Sequence, residues 1–212
     1  RKEQIKLYKK LGDTSNINTI DRINLRNSLI NHISSQNAAK EKKAFIVVGL
    51  PGSGKTSFLI PTLKKNESFV NLTSDDVVVK LPEFQNGKGL LAVSKETTNI
   101  LEGACDKCIS QDKNILLHTT GLWFEQIKNF YTKARKAGYS VHLHFVKIDP
   151  KEALQNTIKR TKNGDQHLCD PFLLAYRTNR PEKNYKKLVE LGCESHKTYL
   201  NTNKISNLVP LD

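Results

Sequence analysis

The sequence predicts an α/β fold: a three-layer sandwich in which helices cover both faces of a mostly parallel, doubly wound sheet, with a helical extension at the N-terminus. Three observations carry this. The run Ala44–Val48, β-branched over its last three residues, passes directly into a glycine-rich loop and then into helical sequence. Downstream, short apolar runs alternate with longer amphipathic stretches, the rhythm that builds parallel sheets through crossover helices. A length of 212 residues leaves room for one such domain with a real core and an extension. The chain divides accordingly into the extension, residues 1–43, and the domain, residues 44–212.

Each element has its own signal. In the extension, Ile17, Ile20, Ile23, Leu29, Ile30 and Ile33 recur at near-helical spacing, which predicts an amphipathic helix from about Thr14 to Gln36 packed on the core. Thr14-Ser15-Asn16 offers cap residues, Lys40–Lys43 reads as a linker, and no chemistry is assigned to the segment. After the strand Ala44–Val48 and its loop, the helix should stop before Pro61, whose ring obstructs the preceding turn. Phe69–Leu72 reads as a second strand, 89–111 as a long helix, and Lys113–Thr120 as a third strand with a polar tip, His118-Thr119-Thr120. A helix over Phe124–Lys136 precedes Gly138. Ser140–Ile148 alternates as a strand with His142 and His144 on one face, both read as structural. A helix over Pro150–Arg160, a polar loop Thr161–His167, a helix over 181–198 and a short strand within Ile205–Leu211 complete the prediction.

The loop, Gly49-Leu50-Pro51-Gly52-Ser53-Gly54-Lys55-Thr56, fits G-x-x-x-x-G-K-[ST] without a mismatch, and Ser57 continues it into the helix. A polyphosphate needs inward-facing backbone N–H groups, and the glycines permit the tight turn and close approach. Lys55 is placed to reach the β- and γ-phosphates, and the Thr56 hydroxyl to ligate Mg²⁺. The fold expected is therefore of the P-loop NTPase type, with ATP and Mg²⁺ as cofactors. ATP is favoured over GTP because no Asn/Thr-Lys-x-Asp motif occurs. A switch ATPase is disfavoured because the strand containing Ile115–Leu117 ends in His118 rather than a carboxylate.

Asp75 and Asp76 follow the second strand, where α/β sheets collect their catalytic groups. One of them can take or orient the proton of an attacking hydroxyl, and either can cap the next helix. Beyond the helix 150–160, a mobile lid is expected to bring cations over the transferring phosphoryl group. Arg160 and Lys162 are the near candidates, with Arg177 and Arg180 just beyond.

Net charge is +13, from 34 Lys and Arg against 21 Asp and Glu, which fits a polyanionic partner, nucleic acid included. No run approaches the length of a membrane span, and no signal sequence opens the chain. It begins at Arg1 and has no methionine, so it reads as a piece of a longer protein. Cys105 and Cys108 lie within the long helix. With His167, Cys169, Cys193 and His196 they offer a weak zinc pattern, and reduced, structural thiols of a cytoplasmic protein are the expectation.

The P-loop, followed by Leu72-Thr73-Ser74-Asp75-Asp76 and then Leu81-Pro82-Glu83-Phe84, resembles the zeta-toxin family over roughly residues 44–192. The resemblance implies a kinase that phosphorylates a sugar hydroxyl of UDP-N-acetylglucosamine with ATP and Mg²⁺, and a protein inhibitor of the antitoxin kind. It places Asp75 on the catalytic aspartate and puts Glu96 and Glu102 on the substrate-contacting helix. It also sets Thr157-Ile158-Lys159-Arg160 on the helix that ends in a phosphate-binding arginine. Asp76, His118, Thr120, Arg177 and Arg180 complete the implied acceptor contacts, with His118 standing where the family carries a carboxylate. The same segment is similar to bacteriophage-type polynucleotide 5′-hydroxyl kinases, which the net charge fits better. A module that binds nucleotide without turnover is the rival reading from another class.

Overall fold

The β-branched run forms the centre of the sheet in this computed structural model, which describes residues 2–162, 178–201 and 209–211. It becomes β1 (Lys43–Gly49), buried from Ala44 onward. Ala44, Ile46 and Val48 face one core together with Val70, Leu72, Ile115, Val141 and Leu143. Phe45 and Val47 face a second, with Leu59, Ile60, Phe69, Leu116 and Val146. A strand buried on both sides needs helices on both sides, hence three layers.

Before β1 come α1 (Lys2–Leu11), a 3₁₀ turn (Thr14–Asn16) and α2 (Ile20–Ser34). After it come a π-helical turn (Lys55–Leu59), α3 (Ile60–Lys64), β2 (Val70–Leu72), α4 (Ser74–Val78), a 3₁₀ segment (Pro82–Gly87) and α5 (Leu90–Ser110). The chain continues as β3 (Ile115–Thr119), α6 (Phe124–Lys136), β4 (Ser140–Ile148), α7 (Pro150–Lys162), α8 (Arg180–Glu190), β5 (Ser195–Asn201) and β6 (Val209–Leu211). The strand order is β2-β3-β1-β4-β5-β6. The first five run parallel, and β6 pairs antiparallel to β5. Register sets Val47 of β1 opposite His118 of β3 and His144 of β4. The loop after β1, the tip of β3 and the segment after β2 therefore leave the sheet at the same edge.

Three expectations are corrected. The helix after the loop does not stop before Pro61. Its first turn is π-helical, with the Ile60 N–H donating to Lys55 O, and Pro61 then opens α3. The wider turn makes room for a ring that a regular α-helix would drive into the carbonyl of Ser57. The single helix expected over 14–36 is instead a 3₁₀ turn and α2, because Thr19 caps α2 by accepting from the Arg22 N–H, and α1 precedes both. The helix expected over 181–198 ends at Glu190, Gly192 takes φ 92°, and Ser195–Asn201 becomes a strand. The strand expected within 205–211 is found over Val209–Leu211; residues 202–208 lie outside the described residues.

The extension is fastened by charge. Glu96 on α5 is fully buried. It accepts from Arg22 Nε at 2.8 Å, Arg26 Nε at 2.6 Å and the Thr14 hydroxyl at 2.6 Å, while Arg22 also reaches Glu83 at 2.8 Å. Burial alone would raise the Glu96 carboxyl, but these donors outweigh it and hold its pKa below the ordinary value. The linker is tied down by the buried Asn114, whose Oδ1 accepts from the N–H groups of Glu41 and Lys43.

Cys105 and Cys108 are buried free thiols, pushed up by burial to about 12 and about 11. No cluster of three side chains suited to a metal occurs among the described residues. Cys169 and His167 lie outside them. His142 and His144 stack on Phe45, with Nδ1 atoms against the hydroxyls of Ser195 and Tyr199, a structural setting. No helix among the described residues is long and apolar enough to cross a membrane.

Candidate active site

At the common edge of the strands opens a cleft of about 860 Å³. Its floor is the phosphate loop, and the sequence dictates its shape. Gly52 and Gly54 take φ 76° and 90°, the left-handed region that favours glycine. A Cβ on Gly52 would stand 2.5 Å from the Ala153 carbonyl, and one on Gly54 would stand 2.8 Å from Asn201 Nδ2. The Lys55 ammonium is folded inside the loop and donates to the carbonyls of Gly49 at 2.6 Å and Leu50 at 2.9 Å. Asn156 Nδ2 donates to Gly52 O, and Asn201 Nδ2 to Ser53 O, each at 2.9 Å.

Leu50, Pro51, Gly52, Ser53, Gly54, Lys55, Thr56 and Ser57 all line the cleft; Gly49, the last residue of β1, supports it from below. Asp75, His118 and Thr120 line the same cleft as the loop. Thr73 caps α4 by accepting from the Asp75 N–H at 3.3 Å. The cap role is thus taken by Thr73. Asp75 lines the cleft, whereas Asp76, one residue round the helix, is exposed and does not. His118 Nε2 is buried with no hydrogen-bond partner. Burial, aided by the nearby Lys55 charge and opposed by Asp75, lowers the His118 pKa to about 4, so the ring is neutral at pH 7.

Of the two glutamates on α5, Glu102 lines the cleft and bonds Asn129 of α6 at 3.0 Å. Glu96 does not line it: it is consumed by Arg22 and Arg26, so the substrate contact expected of it is corrected to a structural anchor. Arg160 and Lys159 on α7 reach the cleft. Arg180 begins α8, exposed and off the cleft lining, and Arg177 lies outside the described residues. Sequence reasoning missed Asn156, Asn201, Gln4 and Trp123, the last 51% exposed at the rim. Only Asn156, one turn before Arg160 on the same helix, had a local signal.

A strand–glycine loop–helix unit at the centre of a 2-3-1-4-5 parallel sheet, with a lysine in the loop and a carboxylate lining the same cleft, defines a P-loop kinase. The zeta toxin family model matches residues 27–181, and the chain belongs to that family. Among solved structures, the toxin of the PezAT chromosomal toxin–antitoxin system of Streptococcus pneumoniae superposes with a TM-score of 0.71 at 17% identity, over 93% of this chain and 83% of that one. The AvrRxo1-ORF1:ORF2 complex gives 0.69 at 16% identity in its native form, over 96% and 70% of the two chains. Its ATP complex gives 0.64 at 16%, over 100% and 67%. At such identities these likenesses concern the fold. No curated protein sequence matches.

Proposed function

We propose that the protein transfers the γ-phosphoryl group of ATP to a hydroxyl of a small anionic acceptor, in line across the cleft. The observation that supports this reading is that Asp75 and the neutral His118 line one cleft with Lys55, near enough for both charges to act on the His118 ring. Lys55 leaves the loop carbonyls to hold the β- and γ-phosphates, and the loop amides bind the remaining phosphate oxygens. Asp75 accepts or orients the acceptor proton. His118, neutral, gives or receives a hydrogen bond where a charged group would repel an anion. Arg160 and Lys159 supply positive charge from the lid side. The Thr56 hydroxyl, which lines the cleft beside the loop, is the hard oxygen donor that would hold Mg²⁺. When bound, the ion screens the phosphate charge.

The acceptor proposed from the family is a sugar nucleotide such as UDP-N-acetylglucosamine, with Glu102, Thr120 and His118 among its contacts. Net charge of +13 favours a second reading, a 5′-hydroxyl polynucleotide. An antitoxin-like protein inhibitor belongs to the proposal as well. The test is transfer of label from [γ-³²P]ATP with Mg²⁺, offering a UDP-sugar panel and a 5′-hydroxyl oligonucleotide side by side. Label on a UDP-sugar supports the first reading, and label on the oligonucleotide the second. Label on neither, with ATP bound, overturns both in favour of a binding module.

A further inference from the structure

We propose that Asn201 and Asn156 are positioning residues of the phosphate loop, clamping its Gly52–Ser53 and Ser53–Gly54 peptides so that their N–H groups keep one direction. Two glycines flank Ser53, both left-handed. Glycine lowers the barrier to turning a whole peptide plane over, because no Cβ resists the change. A phosphate loop works through the direction of its N–H groups, so this freedom is a liability at these two planes. Each plane is held from outside by one amide. Asn201 Nδ2 donates to the Ser53 carbonyl at 2.9 Å, and Asn156 Nδ2 to the Gly52 carbonyl at 2.9 Å.

Peptide planarity converts these bonds into a constraint on the donors. In a trans peptide the C=O and N–H point in opposite directions, and the described chain contains no cis bond. Fixing the Ser53 carbonyl on Asn201 therefore directs the Gly54 N–H away from Asn201. Fixing the Gly52 carbonyl on Asn156 directs the Ser53 N–H away from α7, and that N–H is found donating to Leu50 O at 3.1 Å, inside the loop. Both clamps are mounted on rigid elements. Asn201 is 4% exposed at the end of β5, opposite Ile148 of β4, and Asn156 sits one turn before Arg160 on α7. The same helix thus holds the loop and presents Arg160 to the cleft. Neither asparagine is part of the loop motif.

This inference rests on the reading of the loop as a triphosphate site, so the experiment separates the two. Affinity for a non-hydrolysable ATP analogue is measured by calorimetry for the full chain, Asn201→Leu, Asn156→Ala and Lys55→Ala, together with melting curves without nucleotide. Each asparagine variant is expected to bind the analogue roughly tenfold more weakly, the loss of about one buried hydrogen bond. In the transfer assay, KM for ATP should rise in parallel while kcat at saturating ATP stays within about threefold. A residue of merely structural importance would lower the melting point and leave that split unmoved. If Lys55→Ala weakens binding and the folded asparagine variants do not, the triphosphate site stands and the clamp is overturned. If Lys55→Ala leaves the affinity unchanged, both are overturned. Should Asn201→Leu fail to fold, Asn156→Ala, on a half-buried helical position, decides alone.

Discussion

Asp75 carries the proton step of the proposed mechanism and lies outside the loop motif, which makes it the first residue to test. It stands in the first turn of α4, where its N–H donates to the Thr73 cap, and lines the same cleft as Lys55. Asp75→Asn keeps the shape and removes the proton acceptor. We expect kcat to fall by about 10²- to 10⁴-fold with ATP affinity within about twofold; an unchanged kcat would remove Asp75 from the mechanism. At this scale the sequence was informative where one motif carries one job. Lys55, Thr56 and Asp75, read from local pattern, and His118, set in the site by the family resemblance, all line the cleft. Asn201 was illegible, because it acts on Ser53 across 148 positions and nothing around it in sequence marks the role.

At the scale of elements, the anchor between the extension and α5 replaces a role that sequence assigned to the site. The zeta-toxin resemblance sets Glu96, with Glu102, on the substrate-contacting helix. What decides its fate is Arg22 and Arg26, 74 and 70 residues away, which neutralise it in a fully buried position. Glu96→Gln leaves two arginines facing an uncharged group. Breaking one partner of such a buried cluster costs about 3–5 kcal/mol, read as a lower midpoint in urea with the slope preserved. Replacing Glu96, Arg22 and Arg26 together by Leu, Met and Met should recover most of that loss, since desolvation of the charges disappears with them. Strand and helix limits follow the same division. Phe124–Lys136 and Ser140–Ile148 coincide with expectation because their periodicity is local. The end of α8 was missed because Ser195–Asn201 is a strand by virtue of pairing with β4, which sequence alone does not display.

For the whole molecule, two buried histidines set an acid limit. His118 and His144 both have pKa values lowered from 6.5 to about 4, each chiefly by burial. Their folded values lie below the unfolded ones, so their stabilising contribution is complete above pH 6.5. It is lost as pH falls from 6.5 toward 4, when the unfolded chain takes up protons that the folded one refuses. Each histidine should cost about 1.4 kcal/mol per pH unit in that window. Denaturant titrations between pH 7 and 4.5 check the slope, and His144→Phe should remove its share, because a ring between Phe45 and Tyr199 keeps the stack without a titrating nitrogen.

The order of the strands carries a consequence for the way the molecule is made. The phosphate loop is translated at the end of β1, yet β1 lies between β3 and β4, which are translated after it. The amide that clamps the Ser53 carbonyl belongs to β5 and emerges 148 residues after that carbonyl. A nascent chain therefore carries its nucleotide motif through the synthesis of 148 further residues before the Asn201 clamp can form. The site is complete only once β5 has left the ribosome.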